Sequence, residues 1–534
     1  MCNRNGIIRS IQFLFLLALV LIVSQAVTAR AADQVKIASG ALQGTTVQGS
    51  NVRAFLGIPF AAPPVGKLRW QAPQPVKPWR GVRQAHAFEP RCMQRRIFSD
   101  MVFRDKGPSE DCLYLNVWTP ATSASEKLPV MFWIYGGGFQ AGATSEPRQE
   151  GMNLAKKGVV VVSCNYRLGI FGFFSYPALA KESPHHAAGN YGLMDQIAAL
   201  RWVKQNIAAF GGDPANVTIF GESAGSFSVS DLMASPVAKG LFEKAIGESG
   251  ASFGATLHSQ SLAESERSGK KFAQSIGADS LAALRAIPAN KLLQESPKFR
   301  FWPNIDGYVL PQSVGAIFAE GRQSHVPLLA GWNKDENMGN VYSKKTPPTA
   351  ENLVKAIKKR FGPEADEAMK FYPHATAAEA RQSTETLASD FFTVFGTWKW
   401  LEMANKTGDS PVYRYLFTRT PPELPGARNP GDTVPIIKKG ARHSAEIPYV
   451  FGVLKWKKAP WQPVDFKISD AMMTYWSNFA KTGNPNGSGL PHWPQYTPQN
   501  RQVMLLGEDI HARPATDQKR FEFIDSFIPR RRTH

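Results

Sequence analysis

Gly221-Glu222-Ser223-Ala224-Gly225 sets a serine between small residues. Val217–Phe220 (VTIF) reads as a strand ending just before it, and a helix-compatible run follows. A strand-to-helix turn this tight needs small flanks and holds its central residue in a strained conformation. It lifts the side chain clear of the sheet's carboxyl end, above a helix N-terminus. That arrangement suits a nucleophile. A serine hydroxyl is weak at neutral pH and needs a base, and attack on a carbonyl also needs donors for the oxyanion. Tyr135-Gly136-Gly137-Gly138-Phe139 follows an apolar strand and can supply backbone N–H groups at close range. A phosphate loop is the rival reading, but the Lys-Ser/Thr ending is missing.

The base and its acid are less sharply marked. Histidines beyond Glu336 are His374, His443, His492, His511 and His534. His443 follows Gly440-Ala441-Arg442 in an expected loop beyond the strand Pro411–Phe417, where catalytic loops belong. Asp335 and Glu336 are adjacent, and Asp306 is a further acid candidate. Spacing does not choose among the acids.

The elements that must position these residues alternate between strand and helix. Val130–Tyr135 and Val159–Ser163 are apolar throughout, as in a sheet covered on both faces. Gln196–Phe210 carries Ile197, Leu200, Val203, Ile207 and Phe210 at helical spacing, and Gly211-Gly212-Asp213-Pro214 ends it. Further strands are expected at Val326–Ala330 and Pro411–Phe417, with an antiparallel meander at Val35–Leu42 and Ala54–Ile58. Residues 260–300 and 342–410 read as helices inserted among the later strands. The pattern implies an α/β fold with crossover connections, one large domain and a helical cap.

The first residues read as an address. Arg4 and Arg9 precede Phe13–Val23, eleven apolar residues in a row, and Ala29-Arg30-Ala31-Ala32 follows. A spanning helix needs about 20, so residues 1–31 are expected to be a cleaved secretory signal peptide rather than a retained anchor. Residues 32–534 are then the mature domain, secreted or periplasmic. Lys and Arg total 62 against 43 Asp and Glu, a surplus of 19. Residues 1–31 hold three arginines and no acid, so the mature chain keeps a surplus of 16. Its basic clusters, at Lys358–Arg360, Lys455–Lys458 and Arg530–Arg532, are short and scattered. They match no nucleic-acid module. The four cysteines exclude a disulfide scaffold. Cys92 and Cys112, 20 apart around a polar loop, are the expected disulfide, and Cys164 in VVVVSCNYR is an expected buried thiol.

Long stretches carry a resemblance: FLGIPFAAPPVGKLRW (55–70), SEDCLYLNVWTP (109–120), NYRLGIFGF (165–173), the run from Gly189 to Ser226, PNIDGYVLP (303–311), GWNKDEN (331–337), HSAEIPYVFG (443–452) and YWSNFAKTGNPNG (475–487). The chain resembles the type B carboxylesterases of the α/β-hydrolase fold, the family of cholinesterases and bacterial para-nitrobenzyl esterases. The resemblance implies a large, mostly parallel sheet with helices on both faces. It implies Ser223 as nucleophile, Glu336 as triad acid and His443 as base. Gly137, Gly138 and Ala224 become oxyanion donors, with Glu222 and Ser249 in a supporting hydrogen-bond shell. It implies no metal or cofactor, and a small-molecule ester as substrate.

The departures bear on that substrate. Cholinesterases carry a tryptophan for quaternary ammonium between the first pair of cysteines. Met93–Asp111 has none, and holds Arg95, Arg96 and Arg104 instead. Phe299, Phe301 and Trp302 precede PNIDG and are candidates for the acyl pocket. Two other readings stand beside a general carboxylesterase. One is an esterase for anionic polycarboxylic acids of the tricarballylate type. The other is a non-catalytic adhesion relative, which retention of the three triad residues disfavours.

Overall fold

The computed structural model describes residues 33–254, 260–336, 346–422 and 440–530. The expected leader, Cys2, His534, residues 342–345 and most of the Arg530–Arg532 cluster lie outside them. Eleven strands form the main sheet: β1 (Thr45–Thr46), β2 (Arg53–Pro59), β3 (Tyr114–Thr119), β4 (Leu128–Ile134), β5 (Val160–Cys164), β6 (Gly212–Glu222), β7 (Lys244–Glu248), β8 (Leu328–Asn333), β9 (Val412–Phe417), β10 (Gln502–Leu506) and β11 (His511–Pro514). Their order across the sheet is β11-β10-β9-β8-β7-β6-β4-β5-β3-β2-β1. Pairing is parallel from β10 through β5 and antiparallel at both margins.

Every residue of β5, β7 and β8 is buried. Successive side chains point to opposite faces, so both faces of the central strands are covered. This is why VMFWIY and VVVVS read as unbroken apolar runs. The covering helices include α1 (Tyr191–Asn206), α2 (Ala224–Ala234), α3 (Leu262–Ser275), α4 (Ala350–Phe361), α5 (Ala377–Ser389), α6 (Phe395–Thr407), α7 (Pro463–Thr482) and α8 (Gln518–Arg530). A 3-10 turn prolongs α1 over Ile207–Phe210, and Gly211 stops it in the left-handed conformation. The inserted helices carry their own core, where Leu353, Ile357 and Phe361 of α4 meet Leu387 of α5 and Phe527 of α8.

The amino-terminal meander divides rather than staying in one sheet. Gln34–Ile37 and Gly40–Gln43 pair with Val82–Gln84 in a separate small sheet, while β2 joins the main one. The strands β10 and β11 are not singled out by the residue patterns. They are short, and β11 is largely exposed, so it carries little apolar signal.

Cys92 and Cys112 form the expected disulfide, and Cys164 is a buried free thiol. The enclosed loop is fastened to the glycine segment. Gln94 Nε2–H donates to the Gly142 carbonyl at 2.8 Å, and Gly142 N–H donates to Gln94 Oε1 at 2.9 Å. Among the described residues, no helix is long and apolar enough to cross a membrane. Replacing both cysteines by alanine frees a 20-residue loop and should lower the unfolding free energy by ~3 kcal/mol. The guanidinium midpoint of the variant against wild type measures this.

Candidate active site

Ser223 joins β6 to α2 with φ 54° and ψ −122°, outside the regions a serine ordinarily occupies. The turn has no room for larger flanks. A Cβ on Gly225 would stand 1.9 Å from the Ile134 carbonyl oxygen at the end of β4. Ser223 N–H donates to the Glu248 carbonyl at 2.8 Å, so the end of β7 pins the turn. Two neighbours share its strain, Ser249 after β7 (φ 59°) and Ser444 (φ 65°). Each such residue costs of order 1–3 kcal/mol.

The triad candidates come together from three loops. Ser223 Oγ lies 2.9 Å from His443 Nε2, and His443 Nδ1 lies 2.5 Å from Glu336 Oε2. The other Glu336 oxygen accepts the Asn333 N–H at 2.7 Å and the Ser249 hydroxyl. The alternative acids have other tasks. Asp335 Oδ2 accepts the Ala441 N–H at 2.8 Å, tethering the histidine loop to the end of β8. Asp306 Oδ1 accepts the N–H groups of Tyr308 and Leu310 in its own turn. Among the other histidines, His374 bonds the Tyr372 carbonyl and His511 pairs with Asp509.

Glu222 is buried beside the imidazole, its Oε1 3.2 Å from His443 Nε2 and accepting the Ser444 hydroxyl at 2.6 Å. Burial raises the Glu222 carboxyl, and the His443 charge pulls it back. Burial disfavours the charged imidazole, but Glu222 and Glu336, with the Glu336 hydrogen bond, outweigh it and push His443 up to about 9. The site therefore stabilises an imidazolium.

The glycine loop lies against the serine turn. A Cβ on Gly136 would be 2.6 Å from the Glu222 carbonyl oxygen and 2.9 Å from Ser223 Cβ. A Cβ on Gly137 would be 2.0 Å from the Ala141 carbonyl oxygen and 3.1 Å from the Met101 methyl. The cystine loop thus borders the same spot. Among the described residues, the N–H groups of Gly137, Gly138 and Ala224 have no protein acceptor. Ala224 also opens α2, where the helix dipole favours negative charge. These free donors beside a base-linked hydroxyl can do acyl-transfer chemistry.

Phe299 and Phe301 pack with Phe272, and Phe301 also meets Phe174. Phe173, next along the chain, packs on Phe139 of the glycine loop. Arg300 stacks over Trp302. The ring on His443 itself is Phe392, edge-on at 4.9 Å. It sits in a π-helical segment, Asp390–Val394, between α5 and α6. Residue patterns missed Phe392, and also Glu446, because a π-helical turn and a buried carboxyl leave no periodic signal. Among the described residues, no group of three His, Cys, Asp or Glu is placed to hold a metal.

Comparison with known proteins agrees with this geometry. The profile described as "Carboxylesterase family" matches residues 31–524. The fumonisin B1 esterase of Sphingopyxis macrogoltabida is 38% identical over 88% of this chain and 86% of its own. The para-nitrobenzyl esterase of Bacillus subtilis is 36% identical over 88% and 94%. Among solved structures, a PNB esterase superposes with a TM-score of 0.78 at 35% identity, over 92% of this chain and 99% of its own. The Geobacillus stearothermophilus carboxylesterase gives 0.77 at 33% identity, over 91% and 98%. With fold, matched length and relatives in agreement, the chain belongs to the carboxylesterase family, as a type B enzyme of the α/β-hydrolase fold that hydrolyses carboxylic esters.

Proposed function

We propose that ester hydrolysis runs through an acyl-enzyme on Ser223, with His443 as base and Glu336 as triad acid. The observation that carries this reading is the hydrogen-bond chain from Ser223 Oγ through both His443 nitrogens to Glu336. Ser223 Oγ attacks the ester carbonyl carbon as its proton passes to His443 Nε2. The carbonyl oxygen gains charge and is held by the N–H groups of Gly137, Gly138 and Ala224, each donor contributing roughly 3 kcal/mol. The C–O bond to the alcohol breaks, and the imidazolium protonates the leaving oxygen. Water then attacks the acyl-enzyme by the same route and releases the acid. Phe299, Phe301 and Trp302 are assigned to the acyl side; Phe301 packs on Phe174, whose chain neighbour Phe173 packs on Phe139.

A second reading, esters of anionic polycarboxylic acids, is favoured by the residue that precedes His443. Arg442 is exposed beside His443 and has no acidic partner among the described residues. With a mature surplus of 16 positive charges, such a site draws anions and repels a choline ester.

We further assign residues 1–31 to a secretory leader and 32–534 to one hydrolase domain, exported to the periplasm or the medium. The cystine suits that compartment. Expressed from its own start in a Gram-negative host, the protein should begin near residue 32 when its amino terminus is sequenced. An intact Met1 would reject the leader.

Ser223→Ala should lose ester turnover by on the order of 10³-fold or more while keeping its melting temperature. Near-normal hydrolysis by that variant would reject the mechanism. A panel of neutral, anionic and cationic esters, read as kcat/KM at two salt concentrations, separates the two substrate readings. The pH dependence has a defined sign. The base must be neutral to act, and neighbouring carboxylates raise His443. The acid limb of kcat/KM should therefore lie above the ordinary imidazole value, and Glu222→Gln should move it to lower pH.

A further inference from the structure

Three more buried carboxyls belong to this region: Glu222 and Glu446, whose charges act on His443, and Glu248, which faces both of them. The mechanism leaves the last two unused. Glu248 ends β7 and lies in register with Gly331 of β8, which lies in register with Tyr415 of β9. Residues in register share a sheet face, and Asn333, two further along β8, shares it too. Gly331 has no side chain, and a Cβ there would meet the Tyr415 ring at 2.4 Å. The Tyr415 ring thus lies across Gly331. Trp476 of α7 packs on Tyr415 at 5.4 Å and donates its indole N–H to Glu248 Oε1 at 2.7 Å. Glu446 joins the group through Asn333, whose Nδ2–H donates to Glu446 Oε2.

Hydrogen-bond accounting at this locus does not close with both carboxyls ionised. Glu248 Oε2, Glu446 Oε1, Asn333 Oδ1 and Tyr415 Oη are all buried without a partner among the described residues. The first three only accept, and only the tyrosine hydroxyl donates. No Lys or Arg among the described residues pairs with either glutamate. Buried polar groups are nearly always satisfied, and the Glu446 charge acts on the buried Glu248 carboxyl, so ionising both is disfavoured.

We propose that Glu248 and Glu446 share one proton at neutral pH, with the Tyr415 hydroxyl as a third member, and so form a positioning unit that presents one negative charge toward His443. The added proton turns one acceptor into a donor. The charged and titratable groups that face the pair are Glu222 at the end of β6, Glu336 after β8, Tyr415 on β9 and His443. The electrostatics agree. Burial drives Glu248 well up, with Glu446 the largest neighbouring charge. Burial also pushes Glu446 up to about 8, with Glu222 and Glu336 adding to the rise. Glu446 is in turn one of the charges that support the His443 imidazolium.

The effect on His443 rests on the triad reading; the shared proton does not. Two measurements separate them. Infrared difference spectra of the wild type at neutral pH should contain the carbonyl stretch of a protonated carboxyl, shifted in heavy water and lost in Glu248→Gln/Glu446→Gln. A wild type without that band, or a double variant that keeps it unchanged, overturns the proposal whether or not the enzyme turns over. The second readout is the acid limb of kcat/KM. Either single glutamine variant leaves one charge on the pair, so the limb should stay in place, whereas the double variant should move it to lower pH. A shift in each single variant of about half the double's would mean two ionised carboxylates, and no shift in the double would mean none. Either result overturns the shared proton. Failure of the wild type to hydrolyse any ester would instead reject the triad, leaving the infrared test standing.

Discussion

The close approach of the serine turn to the glycine loop is the contact on which the rest of the site depends. Gly225 sits against the end of β4, and Gly136 sits against the Glu222 carbonyl and Ser223 Cβ. Nothing with a Cβ fits at Gly225 without moving backbone. This tightness forces Ser223 into a strained conformation and frees the Ala224 N–H. It also brings the start of the glycine loop, at Gly136, against Ser223 Cβ. The strain is held by surroundings that cannot relax: the sheet below, the Glu248 carbonyl on the Ser223 N–H, and the cystine loop pressed on Gly137 through Met101. Preorganised donors then need no rearrangement when charge develops.

A second constraint is the handling of buried charge. Away from the site, several buried acids are paired directly with arginine. Arg167 grips Asp195 with two side-chain bonds at 2.7 and 2.8 Å, and Arg414 holds Asp517 at 2.6 Å. Near His443 the balance is different, with three buried carboxyls acting on one imidazole and a fourth, Glu248, behind them. Fully ionised, that group would carry a heavy desolvation cost. Hydroxyls, an indole, an amide and a shared proton take the place of the arginines used elsewhere. Glu222, Glu336 and Glu446 together favour the protonated form of His443.

Much of this was legible in the chain. The strands β4 and β5 announced themselves as unbroken apolar runs because their burial is two-sided. The serine turn was legible because close backbone contact admits only small residues, a restriction that survives as a local pattern. The cystine was expected from the spacing of Cys92 and Cys112 around a polar loop. Less legible were the divided meander and the margin strands β10 and β11, where pairing is decided by neighbours far along the chain.

The triad separates the two kinds of information. Residue types alone named Ser223, and family resemblance named His443 and Glu336, but spacing could not choose Glu336 over Asp335. Only the fold decides between them, because it aims Glu336 at the His443 ring and turns Asp335 to the Ala441 N–H. Phe392, Glu248 and Glu446 belong wholly to the tertiary structure. Their roles come from which strands lie side by side, a relation between residues hundreds of positions apart. The local sequence determines a turn because its constraint is steric and short-range. A buried charge network is a property of packing, and it exists only once the sheet is assembled.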